Sequence, residues 1–142
     1  MDEQLIELLR ANGRASWAEL ARQVGLSAPS VHERVGKLES AGVITGYRAV
    51  VDPVAVGRGV TALVGLIESD SVDETGVEAA LQAIPAIEDC WRVAGNEAYV
   101  LKVRVPDIPS LEATISAVNR IRGVARTRTT VVLSTKWEGH HG

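Results

Sequence analysis

The side chains best suited to chemistry lie along a short amphipathic stretch, residues 27–41. At 100° per residue, Val31, Val35 and Leu38 fall on one face and predict its buried side. Most of the other positions carry hydroxyl, imidazole, carboxylate or cationic groups, which form hydrogen bonds with base edges and phosphates. The candidate contact residues of this stretch are Ser27, Pro29, Ser30, His32, Glu33, Arg34 and Lys37, and Pro29 and Glu33 lie with Ser40 roughly opposite the apolar face.

The helical rotation places Ser30, Arg34 and Lys37 together on one flank of this stretch. In a nucleic-acid groove, the N-terminal half and the flanks would reach base edges, whereas Lys37 and Ser27 would suit phosphates. Two simpler interpretations stay open. The polar side can be a solvated helix face, and Arg34 can form an ion pair with Glu19 or another carboxylate.

Three successive helical patterns, each with its own start and stop signals, position these residues. The first carries an apolar stripe and ends at Gly13, which is expected to supply left-handed geometry. The second begins with a capping box at Ser16–Glu19 and ends at Gly25. The third has Ser27 as its N-cap and ends before Gly42. The turn between the second and third helices is therefore very short.

Two short helices joined by a tight glycine-containing turn are typical of a helix-turn-helix, whose second helix lies in the major groove of DNA. The following segment, Val43–Asp52, predicts a β-ribbon with a turn at Gly46, which is a wing. Tyr47 and Arg48 would contact the DNA backbone from this wing. The expected N-terminal domain is thus a winged helix-turn-helix over residues 1–52.

The order and spacing of these residues resemble the Lrp/AsnC family of bacterial and archaeal regulators, often called feast/famine proteins. The resemblance runs from near Met1 to about Ser134. The segments that carry it are Arg14-Ala15-Ser16, Glu19-Leu20-Ala21, Val24-Gly25-Leu26-Ser27, Arg34-Val35, Lys37-Leu38-Glu39 and Gly42-Val43-Ile44-Thr45-Gly46-Tyr47.

The resemblance implies several properties that composition does not show. It implies binding to double-stranded promoter DNA by a homodimer that assembles further, commonly into an octamer. It also implies that the effector is an amino acid or a related metabolite. We also expect a cytoplasmic protein that associates with no membrane and needs no cofactor.

The second half of the chain changes in pattern after Asp52-Pro53. Residues 53–59 predict a hinge, because proline and clustered glycine break regular structure. Val60–Ile67 is apolar on both alternating faces, as in a strand covered by helices on one side and by a partner on the other.

An internal repeat indicates the architecture of this half. Val77–Ile84 matches Leu111–Val118, and each helical segment is flanked by strand-like sequence. Strands near 60–68, 87–94, 98–105 and 124–134, with helices near 73–84 and 109–122, predict a ferredoxin-like βαββαβ domain. The fold class is α+β, with residues 60–135 expected to oligomerise and sense an effector and residues 136–142 forming a tail.

The hairpin before Tyr99 falls where the family carries a glycine-containing effector loop. Backbone amides beside Gly95 could receive a ligand carboxylate, although a tight turn with positive φ at Gly95 and Asn96 explains the same residues. The family usually has an aspartate at the position of Ala98, so an amine-binding carboxylate is either missing or supplied by Glu97. The candidate effector residues are Ala94, Gly95, Asn96, Glu97, Ala98, Tyr99, Thr127 and Thr129.

Composition limits the remaining possibilities. The net charge of −3 argues against DNA binding through a uniformly basic surface, so any DNA contact must be local. Cys90 is expected in the core, and the adjacent His140 and His141 make a poor metal site.

No motif for catalysis or for a phosphate loop is present, which disfavours an enzyme. A metabolite-binding module and an architectural DNA-binding protein without an effector remain alternatives.

Overall fold

A computed structural model of the protein describes residues 2–69 and 74–139. Two compact units are present, Met1–Val50 with Lys136–Gly142, and Val51–Thr135. The predicted helix start at Asp73 and the two tail histidines lie outside the described residues. The elements are α1 (Asp2–Ala11), α2 (Trp17–Val24), α3 (Ala28–Ser40), β1 (Val60–Glu68), α4 (Glu74–Gln82), β2 (Ile87–Arg92), β3 (Tyr99–Val105), α5 (Ile108–Asn119) and β4 (Val124–Val131).

The start and stop signals of the second helix form as the sequence predicts. The Ser16 side chain accepts a hydrogen bond from the Glu19 amide at 3.1 Å, and the Glu19 carboxylate accepts one from the Ser16 amide at 3.2 Å. Gly25 ends α2 in the left-handed region, with φ of 73°. These bonds satisfy amides and carbonyls that a helix end leaves unpaired.

Only Gly25, Leu26 and Ser27 separate α2 from α3. The Ser27 side chain caps α3 by accepting a hydrogen bond from the Ser30 amide at 3.3 Å. The predicted apolar face of α3 is buried against α1 and α2, which confirms the helix-turn-helix. The buried core of this unit consists of Leu5, Leu9, Leu20, Ala21, Val24, Val31 and Val35.

Two expectations for this unit are wrong. Gly13 does not have positive φ, so α1 ends without a left-handed glycine. The predicted wing is absent, because the segment 43–52 forms no strand. The amides of Val43 and Ile44 both donate to the Leu38 carbonyl and close the end of α3. Only Thr45 then remains before the expected turn, too short for one arm of a ribbon, and isolated two-stranded ribbons are marginal in any case.

The second unit is a four-stranded antiparallel sheet in the order β2-β3-β1-β4. This order, with helices between β1 and β2 and between β3 and β4, is the predicted ferredoxin-like arrangement. Alternate residues of β1 differ in environment: Ala62, Val64 and Leu66 are buried in the helix-facing core, whereas Leu63 is 39% exposed. The face that carries Leu63 is called the open face below.

Candidate nucleic-acid interface and ligand pocket

The polar side of α3 is open to solvent within its unit. Most of the residues predicted to contact DNA are exposed, including Pro29 and Glu33, while Ser30 is half-buried. Four of them, Ser30, Glu33, Arg34 and Lys37, line one polar cavity of about 400 Å³ together with Asp2. Hydrogen-bonding groups are therefore gathered on one surface of the helix, as its rotation predicts.

Arg34 forms an ion pair that its sequence neighbourhood does not reveal. Its Nη1 lies 3.3 Å from Asp2 Oδ1 in the first turn of α1. Glu19, the partner considered from sequence, is instead occupied by the capping box of α2. The Arg34 side chain remains 44% exposed, and exposed pairs of this kind contribute about 0 to 1 kcal/mol to stability. The loss of stability when the Arg34 guanidinium leaves Asp2 for an acceptor on DNA is therefore small.

The other cation on this surface is paired within the helix. Lys37 Nζ lies 3.3 Å from Glu33 Oε1, one turn away. At the start of the helix the Ser27 and Ser30 hydroxyl oxygens are 3.0 Å apart and hydrogen-bonded. Each described cation of this surface is thus paired with a carboxylate. The surface as a whole is therefore close to neutral.

His32 and Tyr47 lie apart from this cluster. The His32 ring packs edge-to-face on Trp17 with centroids 4.9 Å apart. Tyr47 contacts the end of α1, where a Cβ on Gly13 would lie 3.4 Å from its ring. Partial burial, the nearby Glu39 carboxylate and a hydrogen bond to it raise the pKa of Tyr47. Arg48 is exposed beyond it in the segment that forms no strand.

The effector residues predicted in the β2–β3 hairpin lie on different faces of the sheet. Glu97 lies over Gly65 on the open face, with Oε1 3.6 Å from Nη1 of Arg128. The Ala98 amide donates to the Leu66 carbonyl at 2.8 Å, so it is committed to the sheet. Neither Gly95 nor Asn96 has positive φ, contrary to the tight-turn interpretation. Ala94, like both of these loop residues, is exposed.

The remaining candidates face the helices. Thr127 pairs with Leu66 in register, and its hydroxyl accepts a hydrogen bond from Asn119 Nδ2 at 3.2 Å. Thr129 shares this face and is half-buried, and Arg126 and Arg128 lie on the opposite face. Tyr99 also faces the helices, on the far side of β1 from Thr127. The candidate effector set therefore does not converge within one chain.

A cavity of about 380 Å³, called the α4–β2 pocket, lies between α4 and β2. Its lining includes Tyr99, the only one of the predicted effector residues that reaches it. The buried Tyr99 hydroxyl donates to Glu78 Oε1 at 2.9 Å and accepts from Arg92 Nη1 at 3.2 Å. Burial, followed by the bond to Glu78, raises the pKa of Tyr99.

Cys90 lines the same pocket and is exposed, so its expected place in the core is wrong. It is paired with Leu101 in register on the helix-facing side, but at the edge strand β2, where the helices do not cover it. Partial desolvation and the negative charge of Glu78 raise the pKa of the Cys90 thiol.

Sequence reasoning missed Asp2, Trp17, Glu78 and Arg92. Their contacts join residues far apart in the chain, or side chains whose direction depends on the completed fold. Among the described residues, no group of histidine, cysteine, aspartate or glutamate side chains could hold a metal ion. No described helix has both the length and the apolarity of a membrane span.

Comparisons with known proteins agree with both units. Residues 1–39 match the AsnC-type helix-turn-helix domain, and residues 61–140 match the Lrp/AsnC ligand binding domain. The transcriptional regulator LrpA of Mycobacterium tuberculosis is 41% identical over 135 residues, covering 95% of this chain and 89% of the relative. The regulatory protein AsnC of Escherichia coli is 31% identical, covering 94% and 88%.

Solved structures show the same similarity. The feast or famine regulatory protein of M. tuberculosis, in complex with L-methionine, superposes with a TM-score of 0.93 at 39% identity, covering 99% of this chain and 95% of that chain. E. coli AsnC gives a TM-score of 0.89 at 30% identity, with the same coverage. The chain therefore belongs to the Lrp/AsnC family of helix-turn-helix transcriptional regulators.

Proposed function

We propose that this regulator recognises specific DNA sequences through the N-terminal half and the polar flank of α3. The observation that carries the proposal is the cluster of Ser30, Arg34 and Lys37 on a helix whose opposite face is fully packed. A helix held in this way presents its donors at fixed positions, which sequence recognition in the major groove requires. A cytoplasmic location is expected for a protein that acts on DNA.

The ion pairs on α3 give the proposed interface a distinct electrostatic character. Asp2 holds Arg34, and Glu33 holds Lys37, while no DNA is bound. Phosphates and guanine acceptors would replace these carboxylates, because charge-assisted bonds to them are available only in the complex. We therefore expect weak non-specific binding from a chain of net charge −3, and affinity that depends on the correct bases.

The test is operator binding by Arg34→Ala, measured by gel shift on DNA flanking the protein's own gene. A lost base contact is expected to weaken specific binding by about 1 to 3 kcal/mol and to relax sequence preference. Asp2→Asn is the matched control, since it breaks the same ion pair but keeps the cation. Its affinity should equal or exceed that of the unmodified protein.

Thermal melting accompanies this experiment and separates binding from folding. Both variants lose an exposed ion pair, so both should melt close to the unmodified protein. A lower melting temperature for Arg34→Ala, with unchanged DNA affinity of the folded fraction, would assign Arg34 a structural role and contradict its place in the interface.

The open face of the sheet supports assembly into a homodimer. Leu63, Val100 and the 47%-exposed Trp91 give this face apolar surface beside β1. Three of its cations are paired within the chain: Lys102 with Asp89 at 2.9 Å, Arg104 with Glu88 at 3.2 Å, and Arg128 with Glu97 at 3.6 Å. A nearly neutral, partly apolar face can meet an identical copy without repulsion. Further assembly, up to an octamer, extends this proposal.

The proposed effector is an amino acid or a related metabolite. The support is the match to a ligand binding domain and the L-methionine bound to a relative of 39% identity. The residues 94–99, Thr127 and Thr129 would then act only where chains meet, because one chain does not bring them together. A thermal-shift screen of the amino acids should raise the melting temperature for at least one of them. If none of the amino acids raises the melting temperature, that result would favour an architectural DNA-binding protein without an effector.

A further inference from the structure

The α4–β2 pocket combines an apolar floor with a polar end. Leu81 and the ring of Tyr99 are almost completely buried and form the floor, with Ile87 beside them. The polar end consists of Glu78, Arg92 and the Tyr99 hydroxyl that joins them. With a volume of about 380 Å³, the pocket is at the lower end of the range for small-molecule sites.

Charge around this pocket is unevenly compensated. Two carboxylates of the lining, Glu88 and Asp89, are paired with the open-face cations Arg104 and Lys102 at 3.2 and 2.9 Å, and the nearby Glu68 lies 3.6 Å from Arg92. The fourth is Glu78, whose contact is the neutral Tyr99 hydroxyl. Among the described residues, Glu78 is therefore the carboxylate of this pocket that has no cation within ion-pair distance.

We propose that the α4–β2 pocket binds a small molecule in which a primary ammonium group is attached to a short apolar chain. The Glu78 carboxylate accepts hydrogen bonds from the ammonium, and the apolar chain lies on Leu81, Ile87 and the ring of Tyr99. The bond from the Tyr99 hydroxyl holds Glu78 in place before the ligand arrives, which lowers the cost of ordering it.

This pocket shares only Tyr99 with the candidate effector residues, and its lining contains none of the residues proposed to contact DNA. The candidate effector loop has Ala98 where an amine-binding carboxylate is expected, and Glu97 is paired with Arg128 on the open face. Glu78 supplies the missing type of group at another place, within a single chain. Binding here therefore requires neither an operator nor a particular oligomeric state.

Calorimetric titration of the full chain with isoamylamine and with L-leucine tests the proposal. The two compounds share an ammonium and a branched apolar chain, and only leucine has a carboxylate, so their comparison shows whether Arg92 also receives an anion. Isoamyl alcohol is the uncharged control and should bind more weakly than the amine. Glu78→Gln keeps an acceptor for Tyr99 but removes the charge, and is expected to weaken amine binding about tenfold to a hundredfold.

The matched control variant is Glu112→Gln, because Glu112 occupies the equivalent position of the internal repeat on α5 and is exposed. It should bind both compounds as the unmodified protein does. The proposal is overturned if neither ammonium compound binds, if the alcohol binds as tightly as the amine, or if Glu78→Gln leaves the affinity unchanged.

A second measurement uses the unmodified protein. Desolvation, and after it the negative charge of Glu78, raise the pKa of the Cys90 thiol; an ammonium bound to Glu78 removes the second cause while its apolar chain adds to the first, so binding there should shift that pKa. Thiolate absorbance during a pH titration, with and without isoamylamine, measures the change. A thiol pKa that stays constant at saturating amine would contradict binding at Glu78.

Discussion

Replacing Leu63 with aspartate is expected to dissociate the protein into monomers and to weaken operator binding more than about a hundredfold, because linked contacts to two half-sites exceed a single contact by such factors. Leu63 lies in β1, one of the two central strands of the sheet, opposite Lys102 and Thr130 on the open face. The aspartate side chain would point into solvent in an isolated chain but into apolar surface in a dimer. Unpaired charge buried in an interface is strongly unfavourable.

Sedimentation velocity and anisotropy titration on operator DNA measure the two effects of Leu63→Asp. Ala113→Asp is the matched control, because Ala113 is exposed on α5 and carries the same change in charge away from the open face. It should remain associated and bind DNA normally. A Leu63→Asp protein that stays dimeric with unchanged affinity would show that another surface forms the dimer.

The second large effect concerns Gly123, which precedes β4. Its φ is +104°, and a Cβ placed there would lie 2.9 Å from a methyl group of Val77 in α4. Val77 is completely buried and β-branched, so it has little freedom to move. Gly123→Ala therefore combines backbone strain with overpacking and is expected to lower the free energy of unfolding by about 2 to 4 kcal/mol.

Urea denaturation of Gly123→Ala, Val77→Ala and the double variant tests this explanation. Removal of the Val77 methyl groups relieves the clash, so the double variant should lose less stability than the sum of the single losses. Gly36→Ala is the control, since Gly36 lies within α3 with no atom near its would-be Cβ, and should gain about 0.5 to 1 kcal/mol. Strictly additive losses would mean that contact with Val77 plays no part.

Local signals in the sequence predict the helix-turn-helix correctly. The capping box at Ser16, the left-handed Gly25 and the N-cap Ser27 act over three or four residues, so they can be recognised without knowledge of the fold. The apolar run of β1 and the internal repeat predict the sheet and its two helices, because both can be recognised in the sequence itself. The family resemblance adds the functional class, which local patterns alone leave open.

The errors arise where a contact formed only in the folded chain decides the outcome. The segment 43–52 has the composition of a ribbon, but two of its amides are used to close α3. Cys90 follows an apolar pattern, yet the sheet order puts its strand at an edge. The pairing of Arg34 with Asp2 joins residues 32 positions apart, and no periodicity indicates it.

The central claim is that the polar side of α3 lies in the major groove of specific DNA. Dimethyl sulfate protection on operator DNA tests it directly, because the reagent methylates guanine N7 in the major groove and adenine N3 in the minor groove. Protection of guanine N7 is predicted at two half-sites about one helical turn apart, and it should be lost with Arg34→Ala at the contacted base. Protection confined to adenine N3, or none that depends on sequence, would contradict the claim.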